Sequence, residues 1–205
     1  MSVYAKYVLP RLTDLVMRSK ADAAERAKLI PLASGVVLEV GIGSALNVPY
    51  YEGGVAKLYG VDPSIELWRI GRGRVERARF PIEFLLGSGE RLPLGDRAVD
   101  TVVSTWTLCT IPDPPRALAE IGRVLKPEGR FLFVEHGRAP AGRVRVWQDR
   151  LNPLWKRVAG GCHMNRPIED LIAQAGFRFT RIEKEYTSGP KVLTYFYRGV
   201  AEPAA

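Results

Sequence analysis

Two acidic side chains and a pair of glycines stand at spacings that suit a ligand carrying a ribose. Glu39 ends an apolar run and is followed by Gly41 and Gly43, and Asp62 ends the next apolar run. Glycine lets the backbone turn tightly and lets a ligand approach the main chain. A carboxylate at the end of the following strand can accept both hydroxyls of a ribose. The pattern therefore predicts a nucleoside-binding loop.

The sixth position of this loop separates two kinds of cofactor. A dinucleotide fingerprint places Gly or Ala there, where the helix packs close to the pyrophosphate. Leu46 stands at that position. S-adenosylmethionine (SAM) has no phosphate, and it brings a ribose, an adenine and a methionine tail that loop amides and Asp62 can bind. The loop therefore favours SAM over a nicotinamide cofactor, and a purely structural turn is the alternative.

The elements that must position the loop alternate between strands and helices. Apolar or β-branched runs predict strands at 36–40, 57–61, 82–85, 99–105, 130–135, 177–185 and 192–200. Periodicity and helix-start signals predict helices at 3–29 with a break near Pro10, 63–77, 113–125, 143–158 and 167–175, and a short helix after Gly43. This order predicts an α/β fold, a doubly wound Rossmann-like seven-stranded mostly parallel sheet with a C-terminal antiparallel hairpin. Ligands of such sheets bind at the carboxyl ends of the strands.

Composition and charge narrow the class of protein. The hydrophobic fraction of 46% is ordinary for a globular domain, and no apolar run reaches the roughly 18–20 residues that span a bilayer. The net charge of +8 suits either a solubilising surface or attraction to an anionic partner. Cys109 and Cys162 are far apart in the sequence. Two isolated cysteines indicate free thiols in a reducing compartment, so the expected location is the cytoplasm.

Five successive motifs resemble those of class I SAM-dependent methyltransferases of the type 11 group. They are Val37–Ala45, Tyr59–Pro63, Gly87–Pro93, Asp100–Ser104 and Arg123–Gly129. Together they cover residues 36–136. The resemblance implies a methyltransferase that uses SAM and releases S-adenosylhomocysteine.

The same resemblance implies a set of cofactor-binding residues. These are Glu39, Gly41, Gly43, Asp62, Pro63, Ser88, Gly89, Glu90 and Thr105. The glycine loop would hold the methionine moiety, and Asp62 the ribose. Ser88 stands where the family often has an acidic residue on the adenine amino group, so Glu90 or a backbone carbonyl is expected to substitute. Thr105 would face the methyl-donor region.

The C-terminal half resembles the methyltransferase-like thiol S-methyltransferases of animal membranes and their bacterial relatives. The motifs that carry this resemblance are Trp106–Ile111, Glu135-His136, Trp147–Trp155 and Gly161–Asn165. Bacterial phospholipid N-methyltransferases are a related group with a similar core. The resemblance implies a small-molecule acceptor, with a thiol and the amine of phosphatidylethanolamine as alternatives. This chain departs from the animal enzymes in lacking their hydrophobic N-terminal anchor.

The acceptor side offers one candidate for proton transfer. His136 follows the fifth strand and titrates near neutrality, so it is either a general base or a structural histidine. The residues expected to line the acceptor pocket are Trp106, Cys109, His163, Tyr4 and Tyr7. Neither histidine has a neighbour at metal-ligand spacing in the sequence, so no metal is expected.

The chain divides into three functional segments by this interpretation. Residues 1–30 would form a helical lid, residues 31–205 the methyltransferase domain, and residues 138–166 an insertion on the acceptor side. The basic amphipathic N-terminal helix would pack over the site or contact an anionic membrane peripherally. A non-catalytic SAM-binding module is the alternative of another class. Nucleic acid is not an expected partner, because Thr105–Leu108 replaces the Asn/Asp-Pro-Pro-Tyr/Phe signature of base methylation.

Overall fold

A seven-stranded sheet forms the centre of the molecule, which a computed structural model describes over residues 4–140 and 142–204. The strands are β1 (Gly35–Val40), β2 (Val55–Asp62), β3 (Ile82–Leu86), β4 (Val99–Thr105), β5 (Leu125–His136), β6 (Phe177–Tyr186) and β7 (Tyr195–Pro203). Their spatial order is β3-β2-β1-β4-β5-β7-β6. The first five strands are parallel, and β7 pairs antiparallel with both β5 and β6. The predicted fold class is confirmed.

Six α-helices surround this sheet. They are α1 (Leu9–Val16), α2 (Lys20–Leu29), α3 (Ile65–Val75), α4 (Pro114–Val124), α5 (Arg143–Val158) and α6 (Ile168–Gln174). Two helices that follow strands begin at side chains that cap free amides, since Ser64 accepts from the amide of Leu67 and Asp113 from that of Arg116. Such caps satisfy amides that a helix start leaves without an internal partner. They fix where the chain turns away from the carboxyl edge of the sheet.

The central strands are buried as continuous runs. Val37 and Leu38 of β1, and Val102 and Val103 of β4, are fully buried. A strand covered by helices on both faces reads as an unbroken apolar run instead of an alternating one. These strands are therefore rigid supports for the loops at their carboxyl ends.

Three local predictions needed correction. The helix expected after Gly43 is replaced by turns and one 3₁₀ turn at Val48–Tyr50, because Ala45 adopts a left-handed φ of +58° that an α-helix does not permit. Strand β5 begins at Leu125, five residues before the start of the strand predicted at 130–135. The N-terminal helical segment breaks between α1 and α2, whereas Pro10 lies in the first turn of α1, where proline costs little.

A helix that crosses a bilayer must be both long and apolar. Among the helices of the described residues, none combines the length and the apolarity needed to cross a bilayer.

Candidate active site

A cavity of about 380 Å³ lies at the carboxyl edge of the parallel strands. Its floor comes from strand ends and the loops after them: Glu39–Ser44, Val61–Ser64, Ser88, Gly89 and Thr105–Thr107. Its roof comes from α1 and from the segment after α5: Leu9, Pro10, Thr13, Asp14, Met17, Ala159 and Gly160. This volume falls in the range of cofactor pockets, roughly 300–1,000 Å³.

The side chain of Glu39 is fixed by a buried hydrogen-bond network. Its Oε1 atom accepts from Asn47 Nδ2 at 2.9 Å, and its Oε2 atom accepts from the Tyr51 hydroxyl at 2.7 Å. The same Asn47 amide nitrogen donates to Thr105 Oγ1 at 2.9 Å, and Asn47 Oδ1 accepts from Arg26 Nε. The network joins the ends of β1 and β4 to α2. It holds the carboxyl group at the pocket floor in one orientation.

Burial changes the acidity of both carboxyl groups of the loop. It raises the pKa of Glu39 to about 8, although Tyr51, Arg26 and Asn47 oppose the shift. Burial also raises the pKa of Asp62, against the opposing amide hydrogen bonds of Ser64 and Gly43. Isolated buried carboxylates favour the neutral form because water no longer solvates the charge. A cationic ligand in the pocket would restore the charged form.

Asp62 anchors the glycine loop. Its Oδ2 atom accepts from the amide of Gly43 at 2.9 Å, and its Oδ1 atom accepts from the amide of Ser64 at 2.7 Å. The carboxylate therefore spans the end of β2, the loop after β1 and the start of α3. Asp62 and Gly43 both line the cavity.

Gly41 occupies a position that a larger residue would not fit. Its φ is +76°, and a Cβ atom there would overlap the side chain of Thr107. A left-handed φ costs an L-residue about 1–2 kcal/mol. The glycine lets the loop and the end of β4 approach closely at the pocket floor.

The segment expected to meet the adenine ring is only partly in the pocket. Ser88 and Gly89 line the cavity, but Glu90 does not. The Glu90 carboxylate accepts from the Ser88 hydroxyl at 2.7 Å and from the amide of Asp113 at 2.7 Å. Glu90 therefore orients Ser88 and the start of α4, instead of facing the cavity as a substitute for the missing acid.

Trp106 forms part of the wall of the cavity. Its φ of +51° is unusual for a bulky residue, and its amide donates to the carbonyl of Val134 at 2.7 Å. The Arg26 guanidinium lies 4.7 Å from the centre of its ring. Backbone strain of this kind concentrates at functional sites. Trp106 and Thr105 both line the cavity.

Sequence reasoning missed three polar residues of the pocket: Asp14, Arg26 and Asn47. Asp14 lies on α1, and its Oδ1 atom is 3.1 Å from Nη1 of Arg74 on α3. All three are buried polar side chains, which are uncommon unless they are paired. No pattern in the sequence marked Asp14, because it lies on the face of α1 opposite the exposed apolar side chains.

Tyr4 and Tyr7 lie outside the pocket lining. Both side chains are exposed, and the Tyr4 hydroxyl donates to the carbonyl of Val158 at 2.8 Å. The residues of the N-terminal segment that line the roof are instead those of α1, such as Pro10 and Met17. The tyrosines lie in the π-helical segment Tyr4–Val8, which precedes the residues of α1 that line the cavity.

His136, Cys109 and His163 also lie outside the lining. The His136 ring is buried, and its Nε2 atom is 2.9 Å from Sγ of Cys162. Burial alone would lower the pKa of His136, but the hydrogen bond and charge interaction with Cys162 outweigh it and raise the pKa. The His136 ring thus points toward the loop after α5 and does not line the cavity, and its role as a general base stays a prediction.

The His163 side chain is held by helix α5. Its Nδ1 atom is 3.2 Å from Nδ2 of Asn152, and burial, with Arg166 and Lys156 nearby, lowers its pKa. Cys109 is buried, and its amide donates to the carboxylate of Glu135. These residues support the wall behind Trp106, and neither one touches the cavity.

A family comparison identifies the class of protein. Residues 38–133 match the methyltransferase domain family. Human thiol S-methyltransferase is 30% identical over 192 residues, covering 89% of this chain and 78% of the human protein. Phosphatidylethanolamine N-methyltransferase of Cereibacter sphaeroides is 32% identical over 157 residues, covering 76% of each protein. The chain therefore belongs to the methyltransferase family.

The lengths of the relatives differ from that of this chain. A rat thiol S-methyltransferase is 34% identical over 151 residues, and the matched region covers only 62% of its length. Among solved structures, a SAM-dependent methyltransferase from Thermotoga maritima superposes with a TM-score of 0.69 at 20% identity, covering 98% of this chain and 99% of that one. A methyltransferase from Bacillus halodurans gives 0.71 at 17% identity, covering 90% and 99%. These structures share the fold.

Proposed function

We propose that the chain is a SAM-dependent methyltransferase that binds SAM in the cavity at the carboxyl edge of the sheet. The observation that carries this proposal is the pair of buried carboxyl groups, Glu39 and Asp62, on either side of a glycine loop that lines one cavity. SAM, when bound, supplies an electrophilic methyl group on a sulfonium. The carboxylate of Asp62 would accept the ribose hydroxyls, and amides of the loop would hold the methionine tail.

The chain's own residues would orient the donor and exclude water. Glu39 would balance the cationic amino acid moiety. The Trp106 ring, next to Thr105, would add a contact for the sulfonium because aromatic rings attract cations, although Arg26 already lies over one face of it. Residues Leu9, Pro10 and Met17 of α1 cover the cavity with apolar surface. Fixing the nucleophile and the methyl group in line lowers the barrier by several kcal/mol without a dedicated catalytic group.

A thiol is the acceptor that these surroundings suit best. The titratable side chains among the lining residues are Asp14, Arg26, Glu39 and Asp62, and none lies beyond Trp106 on the acceptor side. A thiol with a pKa near 8.5 ionises without a strong base, whereas an alcohol would need one. Thr110, Ile111 and Pro112 supply a mostly apolar lining there. The thiol S-methyltransferase relatives support this choice.

Release of S-adenosylhomocysteine tests the proposal directly. Purified chain with SAM would be assayed against small hydrophobic thiols, matched alcohols and phosphatidylethanolamine vesicles. Methylation of thiols with little turnover of the alcohols is the expected result. SAM binding by calorimetry without turnover of any acceptor would favour the non-catalytic binding module. Absence of SAM binding would contradict the proposal as a whole.

A phospholipid amine is the second candidate acceptor, and the observation that favours it is the inverted polarity of α5. The polar side chains of this helix face the protein: Gln148 donates to the carbonyls of Gly137, Met164 and Val192, and Asn152 accepts from the amide of Met164. Its large apolar side chains are exposed at positions 146, 147, 151, 154 and 158. An ordinary surface helix has the opposite arrangement, with apolar side chains toward the protein and polar ones toward water.

The apolar face of α5 continues onto the N-terminal segment beside the mouth of the pocket. Tyr4 donates to Val158 at the end of α5, and Leu9 of α1 lies against Gly160. Leu12, Leu15 and Val16 of α1 are exposed as well. Basic side chains flank this surface at positions 11, 18, 143, 145, 150, 156 and 157. Apolar side chains flanked by Lys and Arg favour an anionic lipid surface.

Vesicle co-sedimentation tests this second candidate. The chain should bind vesicles containing phosphatidylglycerol more tightly than neutral phosphatidylcholine vesicles, and salt should weaken the binding. Leu154→Ser on α5 should reduce the bound fraction. Leu86→Ser is the matched control, because Leu86 is equally exposed but lies on the edge strand β3. Equal loss in both variants would contradict docking through α5.

A further inference from the structure

Three side chains that could bind a metal, two thiols and an imidazole, converge behind the cavity wall at Trp106. The Sγ atoms of Cys109 and Cys162 and a ring nitrogen of His136 lie within 4.8 Å of one another. The two sulfurs are 3.6 Å apart, and His136 Nε2 is 2.9 Å from Sγ of Cys162. The donors come from three segments that are remote in sequence. The expectation of no metal, drawn from sequence spacing alone, did not include this cluster in space.

We propose that Cys109, His136 and Cys162 form a binding site for Zn²⁺. Zinc binds Cys sulfur at about 2.3 Å and His nitrogen at about 2.0–2.1 Å in tetrahedral geometry. Two sulfurs on one such ion lie roughly 3.8 Å apart, and a sulfur and a nitrogen roughly 3.6 Å apart. The sulfur pair already has nearly this separation, and the ring nitrogen needs to retreat by roughly 0.7 Å.

The second nitrogen of the His136 ring supports the assignment. The backbone of Leu193 lies near the His136 side chain, while Nε2 faces the sulfur of Cys162 at 2.9 Å. Histidines that bind metal usually donate their other ring N–H to a carbonyl or a carboxylate, which fixes the tautomer and the ring orientation. The ring is therefore already turned with its free nitrogen toward the two thiols.

The surroundings tolerate the charge of the complex. Zn²⁺ with two thiolates and a neutral imidazole adds no net charge to the interior. The neighbouring Glu135 carboxylate already accepts from Ser104 and from the amides of Thr107 and Leu108. On binding, each thiol loses one proton to solvent, and neither sulfur changes oxidation state.

The site would tie together the segments that frame the acceptor side. Cys109 follows Trp106 by three residues, and its Sγ lies 3.4 Å from the Trp106 carbonyl. His136 ends β5, and Cys162 follows the pocket residue Gly160 by two residues. A bound ion would fix the wall and the roof of the cavity relative to each other. Three protein donors also leave one tetrahedral position for water or a small ligand.

Metal analysis of the purified chain tests the site without an activity assay. Chain prepared under reducing conditions with ZnCl₂ and then dialysed should retain one zinc per chain by mass spectrometry. Replacement by Co²⁺ should produce a thiolate-to-cobalt charge-transfer band. Retention of no zinc, or a cobalt spectrum without that band, would overturn the proposal. Conversion of both thiols to a disulfide in place of metal retention would also overturn it.

Single substitutions identify the ligands. Cys109→Ser, Cys162→Ser and His136→Gln should each weaken zinc binding by more than the roughly 10–100-fold that loss of an outer-shell partner costs. His163→Gln is the matched control, because His163 lies beside Cys162 but outside the cluster. If the control loses zinc as fully as the three variants, the ligand assignment is wrong. A melting curve of the wild-type chain with and without zinc, expected to shift upward with the ion, does not depend on any variant folding.

Discussion

Nη1 of Arg74 on α3 lies 3.1 Å from Oδ1 of Asp14 on α1. Both side chains are largely shielded from water, and the same Arg74 nitrogen donates to the carbonyl of Ser44 in the glycine loop at 2.6 Å. One guanidinium therefore connects the roof of the cavity to its floor. We expect the position of α1 over the cavity to depend in part on this ion pair.

Removal of this ion pair should loosen the roof. Asp14→Ala and Arg74→Ala should each speed hydrogen exchange of the α1 amides and weaken SAM binding. The two changes should be non-additive, with a coupling energy of roughly 0.5–3 kcal/mol in a double-mutant cycle. Arg72→Ala is the control, since its pair with Glu76 on the same helix is highly exposed. Additive effects of the two substitutions would argue against a working pair.

Glu39 should couple SAM binding to proton release. Its pKa of about 8 in the unliganded chain means that it is largely protonated at pH 7. A cationic ligand favours the carboxylate, so binding should release a proton and affinity should rise with pH up to about 8. Calorimetry at pH 7 in two buffers of different ionisation enthalpy measures this release. Glu39→Gln should remove the part of the release that Glu39 contributes, and an unchanged value would show that the proton comes from elsewhere.

The same residue should affect stability in the opposite direction. Folding raises the pKa of Glu39 above its ordinary value of 4.5, so the native state holds a proton that the unfolded chain releases. The free energy of unfolding of the unliganded chain should therefore fall as the pH rises from about 4.5 to about 8. In Glu39→Gln the fall should be shallower in urea unfolding across this range. An identical slope in both proteins would exclude Glu39 as the source.

Asp62 should carry much of the affinity for SAM. Asp62→Ala should weaken binding roughly 10–100-fold, because hydrogen bonds to charged groups contribute about 1.5–3 kcal/mol. Asp62→Asn, which keeps an acceptor oxygen, should lose less. Asp96→Ala is the control, because Asp96 is exposed and far along the chain from the loop. Calorimetric affinity equal to wild type in Asp62→Ala would exclude the ribose role.

Two glycines should respond oppositely to alanine. Gly41→Ala should destabilise the chain by more than about 1–2 kcal/mol, the cost of a left-handed φ, because its Cβ also overlaps Thr107. Gly73→Ala, in helix α3 with open space around it, should stabilise it by roughly 0.5–1 kcal/mol. Urea unfolding of both variants measures the two values. Stabilisation by Gly41→Ala would mean that the loop relaxes at no cost.

Local patterns predicted the parts of the fold that local physics determines. The buried runs of β1 and β4 and the acids and glycines of the loop were predicted from the sequence, since strand burial and turn chemistry depend on near neighbours. The short helix after Gly43 was predicted wrongly, because the left-handed Ala45 is imposed by the tertiary packing of the loop. The cofactor loop was therefore accessible to sequence reasoning.

Long-range relationships were not accessible in the same way. The direction of the His136 ring depends on Cys162, which is 26 residues away, and the pairing of Asp14 with Arg74 depends on how α1 crosses α3. The orientation of α5 also depends on contacts with segments that are distant along the chain. Only the fold reveals that Gln148 and Asn152 satisfy backbone groups inside the protein.

In α5 the side chains that attach the helix to the protein are polar, and the apolar side chains face outward. This helix is attached through amide side chains that hydrogen-bond the backbone. Exchanging its exposed leucines for polar residues should therefore change the free energy of unfolding little. The exposed leucines should lower the solubility of the chain, although folding does not require them. Replacing Leu154 should therefore change the solubility of the chain more than its free energy of unfolding.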